Sequence, residues 1–228
     1  MSEVKVDKIS PRSGTAFTLG DSGDTFTIPS GATIANSGTA TGFSSGLNSV
    51  QTFTSSGTWT RPSGITKVIM EVQGAGASGS AVNYAGGGGA GGYAKKLLDV
   101  SSISTSTITV GSGGTSPSLG ADGNAGGNSS WADGTNTITG TGGATAGTSA
   151  YAVGLGGVPT GGDLNLQGGA GCSGVAGISF FGSRGAKDSA GSPDSSVSAG
   201  YGGGGLPGWS SYTGGLASPG IVIVWEYK

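Results

Sequence analysis

Apolar and polar residues alternate with a period of two in several short stretches, which is the pattern of half-buried β-strands. Val68, Met70 and Val72 fall on one side of such a stretch, and 104–110 (STSTITV) shows the same alternation. The most apolar stretch, 220–228 (GIVIVWEYK), predicts a strand buried on both sides. Long stretches with the 3.6-residue period of a helix are missing, so the pattern predicts an all-β protein.

The order of these stretches predicts the topology. Residues 50–64 (VQTFTSSGTWTRPSG) predict a hairpin, with Phe53 and Trp59 at inward positions and the Ser-Gly pair in the turn. The strongest strands bracket a glycine-rich region at 111–220. We therefore expect residues 49–228 to form a β-sandwich-like domain that the first and last strands close. Its glycine-rich loops should project from one end.

Residues 1–48 have a different pattern, in which Phe17, Leu19, Phe26 and Ile28 alternate with threonines. Strands this short and this weakly apolar cannot build a core within one chain. The segment therefore predicts an oligomeric β-stem, in which several chains share one narrow interior.

Glycine accounts for 52 of the 228 residues, and in the stretch 168–177 (GGAGCSGVAG) it occupies every third position. A glycine loses about 0.5–1 kcal/mol more conformational free energy on folding than an alanine, so such segments need regular hydrogen bonds with neighbours. A three-residue period is that of the polyproline-II helix, whose glycine edge lets another helix approach closely. Packed segments of this kind are one prediction, and ordered but irregular loops are the alternative. Only 8 prolines are present, which excludes collagen.

The composition argues for binding rather than catalysis. Charged residues make up 10% of the chain and the net charge is −2, so we expect neither nucleic-acid binding nor membrane insertion. Histidine is absent and Cys172 is the single cysteine, so the usual zinc sites and nucleophile–histidine pairs cannot be built. The aspartates beside glycines are typical of turns. We expect no enzyme activity, no metal and no cofactor; the glycines before Tyr93 lack the Gly-Lys-Ser/Thr ending of a phosphate-binding loop.

Residues from about 50 to 228 resemble the glycine-rich domain of bacteriophage tail-fibre proteins. The resemblance rests on an F-x-x-x-G-x-W-x-x-P pattern, a strand that enters a glycine-rich stretch, a Val-Gly-x-Gly-Gly element and a closing apolar strand. The matching residues, in order, are Phe53, Gly57, Trp59, Pro62, Val110, Gly111, Gly113 and Gly114. The segment before residue 44 is similar to stem sequences of tail fibres.

This resemblance implies a homotrimeric fibre adhesin of the virion, made in the host cytoplasm and acting outside the cell. Its N-terminus would dock to other virion or tail proteins. Its distal end would bind a polysaccharide or an outer-membrane protein of the host bacterium. Two alternatives remain: a structural virion spike or decoration that binds no receptor, and a glycine-rich ice-binding or matrix protein.

Aromatic side chains in glycine-rich loops are suited to receptor contact, because they offer a large contact area at low entropic cost. The stretch 179–185 (SFFGSRG) is the first choice, since two adjacent rings cannot both point inward from an extended strand. Each ring has packing over bare glycine backbone as its alternative role. The candidate receptor-binding residues are Phe180, Phe181, Arg184, Trp209, Tyr212, Tyr201, Tyr151 and Trp131, with Tyr84 as a further aromatic.

Overall fold

In a computed structural model of the chain, the described residues are 14, 21–25, 27–33, 46–82, 86–149, 151–183, 200–208 and 212–228. By its internal contacts the chain divides into two units, Met1–Phe43 and Ser44–Lys228. Most of the predicted stem at 1–48 lies outside the described residues, so the stem and its trimeric assembly remain predictions.

The described residues form nine strands in two antiparallel sheets and contain no helix, so none of them provides a membrane-spanning helix. One sheet has the order β1-β9-β3-β4-β8 and the other has the order β2-β5-β6-β7. This confirms the predicted all-β class. The strands are β1 (Leu47–Phe53), β2 (Gly57–Thr60), β3 (Lys67–Gln73), β4 (Tyr93–Asp99), β5 (Thr105–Thr109), β6 (Ser129–Ala132), β7 (Thr137–Gly140), β8 (Leu164–Leu166) and β9 (Ile221–Tyr227).

The hydrophobic core lies between the two sheets. Val68, Met70 and Val72 of β3 are fully buried, as their alternation predicts. The smaller sheet contributes Trp59 and Trp131, whose ring centroids lie 6.3 Å apart. These residues belong to one buried apolar cluster, which gives the domain its sandwich-like character.

The predicted hairpin at 50–64 is wrong. β1 pairs antiparallel with β9, with Phe53 opposite Val222, whereas β2 pairs with β5 in the other sheet. The Ser-Gly pair therefore marks a crossing between sheets, because the chain must place Phe53 and Trp59 on opposite walls of the same core. The pairing of β1 with β9 does confirm that the first and last strands of the domain meet.

β9 is buried along one face and in part along the other. Val222 and Val224 are fully buried between the sheets; on the other face Ile221 is buried, and Ile223 and Trp225 are half-buried. The prediction of burial on both sides is therefore right for one face and for Ile221 of the other. The second face belongs to the outer surface of the five-stranded sheet.

Glu226 joins the two sheets through its buried carboxyl group. Its Oε1 accepts hydrogen bonds from Gln51 Nε2 at 2.6 Å and Trp59 Nε1 at 2.7 Å, and its Oε2 accepts one from the Ser49 hydroxyl. Trp59 lies in the smaller sheet and the other three residues lie in the larger one. The core is thus fixed by a polar link as well as by apolar packing.

At one end of the sheets, the strands continue as extended glycine-rich segments. Segment 74–81 leaves β3, and segment 86–92 runs antiparallel to it before entering β4. Backbone bonds recur every third residue, which is the period of a polyproline-II helix. The donor–acceptor pairs are Gly74–Gly92, Ala77–Gly89 and Ser80–Gly86. The predicted packing of three-residue helices is confirmed here.

Segment 74–81 is enclosed on all sides. Its amides donate to three neighbouring segments in rotation, and its carbonyls accept from three others. Because neighbouring backbones approach every edge, all eight residues of the segment are Gly, Ala or Ser. The sequence predicts one bare edge for each helix, whereas the central helix needs small residues at every position. The six neighbours lie at 86–92, 111–114, 121–127, 141–146, 202–208 and 215–218.

The glycines of 168–177 have two different roles. A Cβ on Gly168 or Gly171 would lie 2.2 or 2.3 Å from carbonyl oxygens of segment 86–92, so both positions serve close packing. Gly174 has a φ of 73° and open space around it, so it serves a turn. Gly177 lies in the segment that follows this turn, and it is again closely packed. The three-residue spacing of the glycines therefore continues through a turn, although the glycine in the turn is not needed for packing.

Candidate functional site

Five pairs of glycine-rich segments leave the sheets and return to them, and the chain connects each pair at the end of the bundle that faces away from the sheets. We call this end the tip. Its described residues are 82, 118–120, 147–149, 151, 173–174 and 212, and residues 83–85, 150 and 209–211 lie outside the described residues.

Hydrogen bonds hold the turns of the tip close together. The hydroxyl of Ser80 donates to the carbonyl oxygens of Gly86 at 2.9 Å and Gly147 at 3.2 Å. The amide of Gly208 donates to the Ser80 carbonyl at 2.7 Å. Residues that flank three of the five connections therefore meet at one serine. The hydrogen bonds of the bundle support the described residues of the tip.

Tyr151 is the most exposed aromatic residue described at the tip. Its side chain is 81% exposed and its φ is 69°, a left-handed conformation that L residues seldom adopt. Such a conformation typically costs about 1–3 kcal/mol and persists only where the surroundings enforce it. Tyr212, another predicted site residue, also lies at the tip and is exposed.

Leu119 is a tip residue that the sequence did not identify. It is 59% exposed in the turn 118–120. The predicted contact residues are aromatic apart from Arg184, although Leu119 lies between a Pro-Ser pair and a glycine, which is a turn signal. The signal that could have identified Leu119 as a tip residue is an apolar residue within a turn sequence.

A second group of predicted residues lies at the junction between the bundle and the sheets. Phe180 stacks on Tyr93 with ring centroids 4.2 Å apart, and Phe181 meets the same tyrosine edge-on at 5.5 Å. Residues 180 and 181 form a bend rather than a strand, so both rings reach one partner. Phe180 nevertheless remains 57% exposed. Tyr201 is half-buried nearby, and its carbonyl accepts a hydrogen bond from the Ser179 hydroxyl at 2.5 Å.

Trp131 needs correction as a candidate. It is fully buried in β6, within the core between the two sheets. Its alternation within a short strand turns the ring inward, which removes it from any surface contact. Arg184, Trp209 and Tyr84 lie outside the described residues. The predicted residues thus divide between the tip, the junction and the core.

Tyr93 connects the junction to a polar network on the outer surface of the five-stranded sheet. Its hydroxyl donates to Glu71 Oε1 at 2.9 Å. Lys95 Nζ lies 3.2 Å from the same oxygen, and Trp225 Nε1 donates to the other at 3.1 Å. Burial, together with the hydrogen bond and the negative charge of Glu71, raises the pKa of Tyr93 well above its ordinary value. Each of these polar groups therefore has a partner.

Neither surface carries the chemistry of a metal centre. Among the described residues, no three Asp, Glu or Cys side chains gather as they would around a metal ion. The tip offers hydroxyl groups, backbone amides and exposed apolar side chains. Such groups can form van der Waals contacts and hydrogen bonds.

The comparison with known families gives one match. The model of a family described as a glycine-rich domain matches residues 48–227. No curated protein matches the chain. The matched range includes strands β2 to β9, all but the first residue of β1, and the described residues of the tip.

Proposed function

The chain belongs to the glycine-rich domain family, and we propose that it is a bacteriophage tail-fibre adhesin that binds a receptor on the host bacterial surface through its tip. The function is binding without catalysis. The homotrimer, the docking of the N-terminus to other virion proteins and the location in the virion are parts of this proposal.

The gathering of five chain connections at the tip is the observation that carries the proposal. Backbone hydrogen bonds of the bundle hold the described residues on either side of these connections, and the buried core cluster contains none of the described tip residues. A rigid scaffold with binding residues on its loops is a common design for recognition. Turns at one end of a bundle also suit the end of a fibre.

The exposed side chains of the tip suit adhesion. Tyr151 and Leu119 project apolar groups into solvent from stretches that backbone hydrogen bonds close, from Ala152 to Ser149 and from Ala121 to Ser118. Little conformational entropy is then lost on binding, which strengthens a contact of modest area. Several such tips on one virion can raise the overall affinity by about 10²–10⁴ over that of one.

The test is the adsorption of a fluorescent fusion of the full chain to a panel of bacteria. For a strain that binds the fusion, Tyr151→Asn should lower binding at least tenfold, because Asn tolerates the left-handed backbone and removes the ring. Thr135→Asn introduces the same residue at the opposite end of the sheets and should leave binding unchanged.

Two further results decide between the alternatives. Phe180→Ser combined with Phe181→Ser tests the junction, and a loss of binding there with none at Tyr151 would move the receptor site away from the tip. Binding to purified virion components, without binding to any cell of the phage's own host, would replace the adhesin with the structural spike.

A further inference from the structure

The outer face of the five-stranded sheet is open and carries exposed apolar side chains around a polar centre. The face turned away from the smaller sheet carries Leu97 of β4, which is 55% exposed, and Leu164 of β8, which is 45% exposed. Ile69 lies opposite both Leu97 and Trp225, so these side chains share the face. No described residue packs over this group as a second layer. We call this surface the open face.

The open face is large enough for a specific interface. Strands β1, β3, β4 and β9 have seven residues each and β8 has three. At about 3.3 Å per residue and about 4.8 Å between strands, the face covers about 500 Å². Apolar patches of about 300–600 Å² on a single chain are often functional. A stable pair of proteins buries about 800 Å² on each partner, so the open face with its rim approaches that size.

The bundle beside the open face has an additional layer. Segment 202–208 lies on the same side as the open face, since Gly202 contacts the side chain of Gln73 at the end of β3. This layer stops at the junction, where Phe180 stacks on Tyr93. The open face is therefore a step below the bundle, and a sheet stacked about 10 Å above it would fill the step.

The polar groups at the centre of the open face neutralise one another. Glu71 is almost fully buried. It accepts hydrogen bonds from the Tyr93 hydroxyl and the Trp225 indole, and it forms an ion pair with Lys95. The charges of Glu71 and Lys95 thus cancel at the centre, which lowers the desolvation penalty of covering it. Lys67 and Asp99 lie opposite each other at one end of the face, with Lys228 near Lys67, and Asp163 lies beside Leu97.

A neutral apolar face does not select a partner of opposite charge, but it can meet a copy of itself without repulsion. We propose that the open face is an interface between copies of this chain. This interface lies away from the tip and does not depend on receptor binding. It also differs from the predicted association through residues 1–48.

The experiment compares two leucine variants of the full chain by sedimentation over a range of concentrations. Leu97→Glu places a charge within the proposed interface and should weaken self-association at least tenfold. Leu119→Glu is the matched control, because Leu119 is 59% exposed and lies at the tip. It should leave association within twofold of the original chain. Unfolding in urea checks that both variants fold.

If another segment also holds the copies together, Leu97→Glu alone would not separate them. Hydroxyl-radical footprinting of the unaltered chain tests the open face directly in that case. Leu97 and Leu164 should be oxidised several-fold more slowly than Leu119, although their exposure within one chain is similar. A single-chain mass at 100 µM overturns the proposal. Equal oxidation of the three leucines also overturns it, because a covering by any partner would protect the face.

Discussion

Gly88→Ala tests whether close backbone approach holds the bundle together. Gly88 lies in segment 86–92, and its amide donates to Gly205 while its carbonyl accepts from Gly177, both at 2.9 Å. A Cβ built on Gly88 would lie 1.9 Å from the carbonyl oxygen of Ala77. The added methyl group would thus push on one neighbour while hydrogen bonds hold the residue to two others.

The magnitude follows from these contacts. Real Cβ atoms essentially never approach a heavy atom more closely than 3.0 Å, so the backbones must separate by about 1 Å. Overpacking a well-packed interior costs about 1–3 kcal/mol, and each weakened hydrogen bond costs about 0.5–1.5 kcal/mol. Alanine also lowers the conformational entropy of the unfolded chain, which stabilises the folded state by about 0.4–1 kcal/mol. We expect Gly88→Ala to lower the free energy of unfolding by about 2–4 kcal/mol.

Gly57→Ala is the matched control. No atom lies within 4 Å of a Cβ on Gly57, and its φ is outside the left-handed region. The same substitution should therefore raise the stability by up to about 1 kcal/mol, through the unfolded chain alone. The two variants thus differ in sign.

The assay is equilibrium unfolding in urea at one protein concentration, followed by both circular dichroism and tryptophan fluorescence. Coincident transitions would justify a two-state free energy. If Gly88→Ala unfolds at the same urea concentration as the original chain, or if both variants lose stability equally, close packing at Gly88 does not stabilise the fold.

Three further predictions concern the core, the outer network and a turn. Glu226→Gln should lower the free energy of unfolding by about 1–3 kcal/mol, because the neutral amide lacks the charge that strengthens the hydrogen bonds from Gln51, Trp59 and Ser49; an unchanged urea midpoint would contradict this. The pKa of Tyr93 is raised in the folded chain. The stabilisation that protonated Tyr93 gives the fold is therefore complete below the ordinary tyrosine pKa of about 10, and it is lost as the pH rises above that value. Tyr93→Phe should therefore make stability fall less steeply above pH 10, and an equal slope would refute the burial argument. Gly174→Ala should destabilise by about 1 kcal/mol from backbone strain alone, and an unchanged melting temperature would contradict this.

The sequence predicted the strands well because side-chain alternation is a local property. The buried face of β3 follows from the spacing of Val68, Met70 and Val72, and the structure buries all three. The hairpin at 50–64 failed because alternation identifies a strand without identifying its partner. A turn signal between two strands also fits a crossing between sheets.

The sequence predicted the candidate site less well. Aromatic composition selected Trp131 and Tyr151 alike, yet one is fully buried and the other is 81% exposed. Leu119 was missed because its position at the tip depends on the return of distant segments. Phe180 and Phe181 were expected on opposite sides of a strand, but a bend brings both rings to Tyr93.

The amino-acid sequence alone determined the all-β class, the buried faces of the main strands and the three-residue period of the glycine segments. These follow from side chains, or their absence, at fixed spacing along one segment. The tertiary structure decided which segments are neighbours, which turns share the tip and which sheet face stays open. Glycine has no side chain to record its neighbour, so only the backbone hydrogen bonds of the folded chain specify how the segments are arranged.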